Sequence, residues 1–194
     1  MENKLKLIVN TFGKEKFKQN EPISDHTALK VGGPAKLFFV AVTQREIFRI
    51  VTETRKLKIP LLIFGTGSKM MISDNGFDGL IIKNRSKNIS VVGVRGKVSK
   101  IGVGVDEALV EIDSGASISL LIDFLNGQNL QVEDIQGLPG TLGGNLFINS
   151  NLQNKVKTIK VINQYSEIEE INAKELSLRK HIILSAVLKF KARI

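Results

Sequence analysis

The sequence predicts an α+β fold in two lobes, and three observations predict it. Apolar runs before residue 84 follow a strand, helix, strand order. Near residues 84–88 the texture changes, and closely spaced β runs follow. Each half also carries one glycine-rich loop, Gly65-Thr66-Gly67-Ser68 in the first and Gln136-Gly137-Leu138-Pro139-Gly140-Thr141-Leu142-Gly143-Gly144 in the second. The boundary is drawn between residues 1–85, an α/β lobe, and 86–194, a β-rich lobe.

Residues 1–20 read as an amphipathic helix, with Leu5, Ile8, Val9, Phe12 and Phe17 apolar. A strand is predicted over 36–42. Thr43 and Glu46 then stand three apart as a capping box. The helix they open carries Ile47, Ile50, Val51 and Thr54 on one face and stops near Lys58, before Pro60. Residues 61–64 form the next strand, which completes a βαβ unit of parallel sense. Met70-Met71-Ile72 reads as buried, Ser73-Asp74-Asn75-Gly76 as a turn and 80–83 as a short strand.

In the second half, 89–94, 97–105 and 109–113 read as β runs, with Arg95-Gly96 as a hairpin turn. Ser117 opens a helix with Ile118, Leu121, Ile122 and Leu125 inward, and Gly127 ends it. Residues 158–163 and 167–171 form a hairpin-like pair, and 182–190 is the last strand.

Composition narrows the function. The 194 residues are 42% hydrophobic and 24% charged, enough for one large domain or two small lobes with cores. There is no cysteine, which excludes disulfides and thiolate metal sites, and two histidines weigh against structural zinc. No apolar core follows Met1-Glu2-Asn3-Lys4-Leu5-Lys6, so no signal peptide is expected. No apolar run approaches the roughly 18 residues of a membrane span, and the expected location is the cytoplasm. The 28 basic and 19 acidic residues leave +9. The basic residues are scattered and the single tyrosine offers little for base stacking, so no nucleic-acid partner is expected. A positive field equally attracts a phosphorylated nucleotide.

The 65–68 segment follows the apolar run Leu61-Leu62-Ile63-Phe64. A strand feeding a glycine-rich turn exposes backbone N–H groups that no side chain blocks, and such a turn cradles a pyrophosphate. It has neither the Gly-Lys-Ser/Thr ending of a Walker loop nor the third glycine of a Rossmann fingerprint. Taken singly, each loop is also what a plain chain reversal needs. Together, about seventy residues apart, the two suggest a long ligand held at two points, for which a dinucleotide such as a flavin is the natural candidate.

Four segments resemble the UDP-N-acetylenolpyruvoylglucosamine reductase (UDP-N-acetylmuramate dehydrogenase) family. They are His26-Thr27-Ala28-Leu29-Lys30-Val31-Gly32-Gly33-Pro34-Ala35, Phe64-Gly65-Thr66-Gly67-Ser68, Gly137-Leu138-Pro139-Gly140-Thr141-Leu142-Gly143-Gly144, and Ile148-Asn149. The third is the most characteristic, and the likeness runs from about residue 20 to the C-terminus. It implies a two-lobed FAD-binding domain of the vanillyl-alcohol-oxidase (PCMH) type, with FAD in the cleft between the lobes. It also implies the family's NADPH-dependent reduction of enolpyruvyl-UDP-GlcNAc, a UDP-sugar, in peptidoglycan and cell-wall synthesis.

Carried over residue by residue, the resemblance implies that Gly65, Thr66, Gly67, Ser68 and Lys69 hold the FAD pyrophosphate. Gly137, Pro139, Gly140, Thr141, Gly143 and Gly144 would lie along the flavin ring and ribityl chain, with Gly115 and Ala116 near the isoalloxazine. Asn149 matches the Asn of the family's Asn-Ala-Gly segment, and a turn-capping role is the plainer reading for it and for Thr141. Arg179, in Leu178-Arg179-Lys180-His181, is the candidate for the family's catalytic Arg. His26 is expected to be a solvated turn residue that nothing orients.

Three departures stand beside the match. Ser150-Asn151 replaces Ala-Gly, the family's Tyr before Arg is absent, and the third domain that carries the proton-donating serine has no counterpart before Ile194. Three readings follow. The chain is an FAD-binding module with an incomplete catalytic set, either a fragment or a natural short form that works with a partner chain supplying the missing domain; or a flavin oxidoreductase with a different substrate; or a non-enzymatic basic interaction domain.

Overall fold

The computed structural model describes residues 1–68, 70–99 and 102–193. The chain divides into two compact units, Met1–Ser86 and Lys87–Ile194.

In the first unit, α1 (Glu2–Phe12) buries Leu5, Ile8 and Val9. It does not run to residue 20. Gly13 takes φ 97, and after a short 3-10 turn Phe17 opens β1 (Phe17–Pro22). Phe17 fits a helical face by spacing, but its ring instead packs 5.2 Å from that of Phe39 across the strand pair. The other strands are β2 (Pro34–Ala41), β3 (Leu61–Phe64) and β4 (Phe77–Asn84), ordered β1-β2-β4-β3. β1 is antiparallel to β2, whereas β2 and β3 both run parallel to β4. The predicted βαβ unit is therefore present, with β4 inserted between its strands.

Its helix, α2 (Gln44–Lys56), buries the four predicted residues, Ile47, Ile50, Val51 and Thr54. Thr43 Oγ1 accepts from Glu46 N at 3.1 Å, but the Glu46 carboxylate returns to Val42 N, one residue before the expected Thr43. Ile23, Ala35, Phe38, Phe64 and Ile81 form a cluster onto which Met70 and Ile72 pack. Met71, predicted buried between them, is 79% exposed. Each fully buried Phe or Ile here contributes on the order of 1.5–3 kcal/mol.

The second unit holds β5 (Ile89–Ser99), β6 (Gly102–Asp113), α3 (Ile118–Gly127), α4 (Leu142–Leu146), α5 (Ser150–Lys155), β7 (Val156–Ile162), β8 (Ile168–Ile171) and β9 (Ile182–Lys191). Its sheet runs β5-β6-β9-β7-β8, and every neighbouring pair is antiparallel. Two long strands replace the three predicted short runs. Arg95 and Gly96 are paired with Glu107 and Val105 inside the ladder, at a register shift, and are not a hairpin turn. A Cβ on Gly96 would stand 2.0 Å from the Gly104 carbonyl, so the glycine serves a bulge. The core joins the sheet's inner face (Val110, Ile112, Ile159, Leu188) to α3 through Ile118 and Leu121. Among the described residues no helix is long and apolar enough to cross a membrane.

Candidate functional site

β3 ends at Phe64, paired with Lys83, and the 65–68 loop follows. Gly67 has φ 70. A Cβ there would lie 2.4 Å from the His26 carbonyl oxygen and 3.1 Å from the Thr27 α-carbon, so only glycine fits. The Gly67 carbonyl accepts from Ala28 N at 3.2 Å. The amides of Thr66, Gly67 and Ser68, by contrast, donate to no described residue. Among the described residues the loop's one side-chain bond is long, Thr66 Oγ1 donating to Ser68 Oγ at 3.4 Å. Lys69 lies outside the described residues.

The 26–28 segment under this loop is more tightly held than its sequence suggests. His26 Nε2 stands 2.8 Å from Glu21 Oε1, and its Nδ1 stands 3.3 Å from Lys83 Nζ. The ring stacks on Phe38 with centroids 4.3 Å apart and planes 13° apart. The expectation of a solvated, unoriented histidine is corrected: its side chain is 16% exposed and has three partners. Glu21 also receives Lys18 at 2.7 Å. Burial pushes the Glu21 carboxyl up, but hydrogen bonds from Lys18 and His26 outweigh it and hold the group below the usual carboxylate value. Burial lowers the Lys83 ammonium, and Arg85, Lys18 and Lys30 add to the effect. Sequence reasoning missed Glu21 and Lys83 because they meet His26 only once β1 and β4 are assembled in the sheet; the burial pattern over 17–22, with only Phe17 buried, carries no alternation that would have marked β1.

In the second unit, hydrogen bonds bring together most of the residues expected at the flavin ring. Gly143 N donates to Ser114 O at 2.8 Å, Leu142 N to Ala116 O at 2.9 Å, and Ile118 N to Gly140 O at 3.0 Å. Gly115 and Ala116 thereby meet Gly140, Thr141 and Gly143. Gly143 and Gly144 are not loop residues, since both lie in α4. A Cβ on Gly143 would press on Ser114 at 3.0 Å, whereas on Gly144 it would meet only Thr141 Oγ1, at 3.8 Å. Gly137 faces open space, and Gly140 takes φ 93. Asn145, which sequence reasoning missed, is buried, and its Nδ2 donates to both Pro139 O and Thr141 O at 2.9 Å. Thr141 precedes α4 without a side-chain capping bond, whereas Asn149 caps α5 by accepting from Leu152 N at 3.0 Å.

Arg179 is exposed on a turn closed by His181 N donating to Ser177 O at 2.9 Å, just before β9. No described hydrogen bond or ion pair joins it to Gly115, Thr141 or Gly144. Of two other hydroxyls, Ser150 is exposed at the start of α5, and Ser185 is buried and donates to Glu111 at 2.9 Å.

Two such units, a mixed four-stranded sheet and an antiparallel five-stranded one, define the α+β fold of PCMH-type FAD-binding domains. Solved structures with the fold include UDP-N-acetylenolpyruvylglucosamine reductase from Thermus caldophilus (TM-score 0.66, 20% identity, 92% of this chain and 62% of that one). Another is p-cresol methylhydroxylase with substrate bound (TM-score 0.64, 9% identity, 99% of this chain and 43% of that one). No family model matches the chain. Curated relatives include the UDP-N-acetylenolpyruvoylglucosamine reductase of Syntrophomonas wolfei, 31% identical over 173 residues, covering 85% of this chain and 53% of that protein. The enzyme of the same name from Clostridioides difficile is 28% identical over 184 residues, covering 91% and 57%. The chain is a homologue of the UDP-N-acetylenolpyruvoylglucosamine reductase family, and it spans about half the length of the curated relatives it matches.

Proposed function

We propose that this chain binds FAD and provides the flavin-binding part of an oxidoreductase of the UDP-N-acetylmuramate dehydrogenase type. The observation that carries the reading is the 65–68 loop. The amides of Thr66, Gly67 and Ser68 have no described acceptor, and the loop sits after a parallel strand, where an anion is a fitting partner. The 137–144 segment, taken by itself, suits a flavin ring or ribityl chain. Its backbone is fixed by bonds to 114–118 and by Asn145, and Gly144 leaves room for a flat ring or ribityl chain to approach.

Bound FAD would supply hydride transfer, and the chain's own residues would bind and orient it. The reaction is the NADPH-dependent reduction of enolpyruvyl-UDP-GlcNAc. Reducing a vinyl ether also needs a proton donor; no described bond joins Arg179 to the glycine segments, and Ser114, beside Gly143, donates its hydroxyl proton to Ile183 O at 2.6 Å. The acid and the walls around the UDP-sugar then come from outside these 194 residues, on a partner chain or a further domain. Attachment is non-covalent, because the chain has no cysteine and neither histidine lies in the 137–144 segment.

The test is direct. Purified protein should be yellow or should quench FAD fluorescence on titration, and acid precipitation should release all the flavin. A colourless protein that leaves FAD fluorescence unchanged would remove the reading and favour a non-enzymatic basic domain. Bleaching by NADPH, then reoxidation on adding enolpyruvyl-UDP-GlcNAc, separates this enzyme type from a flavin oxidoreductase with another substrate.

A further inference from the structure

We propose that His26 is the positioning residue of the 65–68 loop, fixing the backbone shelf on which that loop offers its amides to the dinucleotide's pyrophosphate; the proposal rests on the FAD reading above. His26 meets the loop through its backbone, not its ring. Its carbonyl oxygen lies where a Gly67 Cβ would be, at 2.4 Å, and two residues on Ala28 N donates to Gly67 O at 3.2 Å. Thr27, almost fully buried, closes the turn by donating from Oγ1 to Val31 O at 2.9 Å. Any rotation of the 26–28 peptides therefore moves Gly67, and the adjoining amides move with it.

The His26 side chain removes that freedom. An ammonium has only donors, so Lys83 Nζ donates to Nδ1, at 3.3 Å. The ring proton then sits on Nε2 and is donated to Glu21 at 2.8 Å. Stacking on Phe38 sets the ring plane. Glu21 and Lys83 each lie one residue before the end of their strands, β1 and β4, so two strands of the sheet grip one side chain from opposite sides. Lys83 is also the register partner of Phe64, the residue before the loop. One short chain of contacts thus ties both the shelf and the loop's entry to the same lysine.

The experiment compares FAD dissociation constants, by fluorescence quenching, for the 194-residue protein and three variants, with thermal melts alongside. His26→Phe keeps the stack and loses both hydrogen bonds; FAD binding should weaken about tenfold. His26→Gln can donate to Glu21 and accept from Lys83, and should recover most of that loss. Glu21→Leu removes the acceptor at a site outside the core and should weaken binding severalfold, which tests the idea even if His26→Phe fails to fold. A purely structural role would move all three in step with their melting temperatures and show no rescue by Gln. Equal affinities for His26→Phe and His26→Gln, or wild-type affinity in Glu21→Leu, would overturn the proposal while leaving FAD binding intact. No binding by the wild-type chain would instead overturn the FAD reading, and this proposal with it.

Discussion

The two glycine segments look alike in sequence and are built in opposite ways. The 65–68 loop spends few of its own hydrogen bonds: the amides of Thr66, Gly67 and Ser68 donate to no described residue, and it rests on a shelf made by another segment. The 137–144 segment spends many. Three main-chain bonds stitch it to 114–118, and the Asn145 amide clips two of its carbonyls. Glycine therefore means different things in the two. At Gly67 it allows a positive φ and a backbone approach that any side chain would block, whereas at Gly143 it allows a helix to lie against Ser114. A loop with free donors suits a charged, hydrogen-bond-hungry group such as a pyrophosphate. A stitched, rigid surface suits a flat ring that needs shape more than donors.

The comparison is broken most strongly at Gly67. Gly67→Val would place its Cβ against the His26 carbonyl and force a β-branched residue to φ 70. Loss of measurable FAD binding is expected. Only the loop need shift, so far-ultraviolet circular dichroism should stay near wild type. Retained flavin in this variant would mean that the loop is a plain turn. Gly140→Val, at φ 93, should lose flavin for the parallel reason in the second unit.

A paired substitution sharpens the contrast within α4. Alanine favours a helix over glycine by roughly 0.5–1 kcal/mol. At Gly143 that gain meets a methyl pressed to 3.0 Å from Ser114, so Gly143→Ala should lower the melting temperature. At Gly144 the methyl enters open space, so Gly144→Ala should hold or raise it while weakening FAD binding. A Gly144→Ala protein with unchanged flavin affinity would show that the ring does not approach this face.

Asn145 should matter next. Asn145→Leu removes the side-chain donor shared by the Pro139 and Thr141 carbonyls, puts an apolar group in a buried polar position and leaves Thr141 O only the residue-145 backbone N–H. A cost of about 1–3 kcal/mol is expected, read by urea unfolding. A Leu variant as stable as wild type would mean that the clip is dispensable.

Much of this was legible in the chain. The apolar face of α2, its Thr43 cap and the Ser117 cap of α3 follow from spacing and side-chain chemistry alone, and the structure has them. Strand β1 was not legible, because Phe17 suits either a helical or an alternating pattern and only its packing on Phe39 decides. Arg95-Gly96 reads as a turn because a bulge and a turn both ask for glycine. His26 was misread for a different reason. What orients it lies 5 residues before it on one strand and 57 residues after it on another, and such a meeting exists only once the sheet is assembled.

The smallest expected effect is on the pH dependence of the first unit. The Glu21 carboxyl is held below its ordinary value of 4.5, so the folded state gives up that proton more readily than the unfolded chain does. Its contribution to stability is therefore fully present above pH 4.5 and is lost as pH falls through the lowered folded value. Glu21→Gln cannot titrate. The difference in unfolding free energy between wild type and this variant should level off above about pH 4.5 and shrink as pH falls below it, where the unfolded chain takes up the proton first. Lys83 runs the same way in pH, at the alkaline end. Its folded value lies below the ordinary 10.5, so stability should rise with pH between the two values, and Lys83→Met should abolish that rise. Urea titrations at stepped pH read both. A wild-type minus Glu21→Gln difference that does not change between pH 3 and 6 would show that the Lys18–Glu21–His26 contacts are too solvent-screened to couple to folding, and that the shelf beneath the 65–68 loop is held without the Glu21 charge.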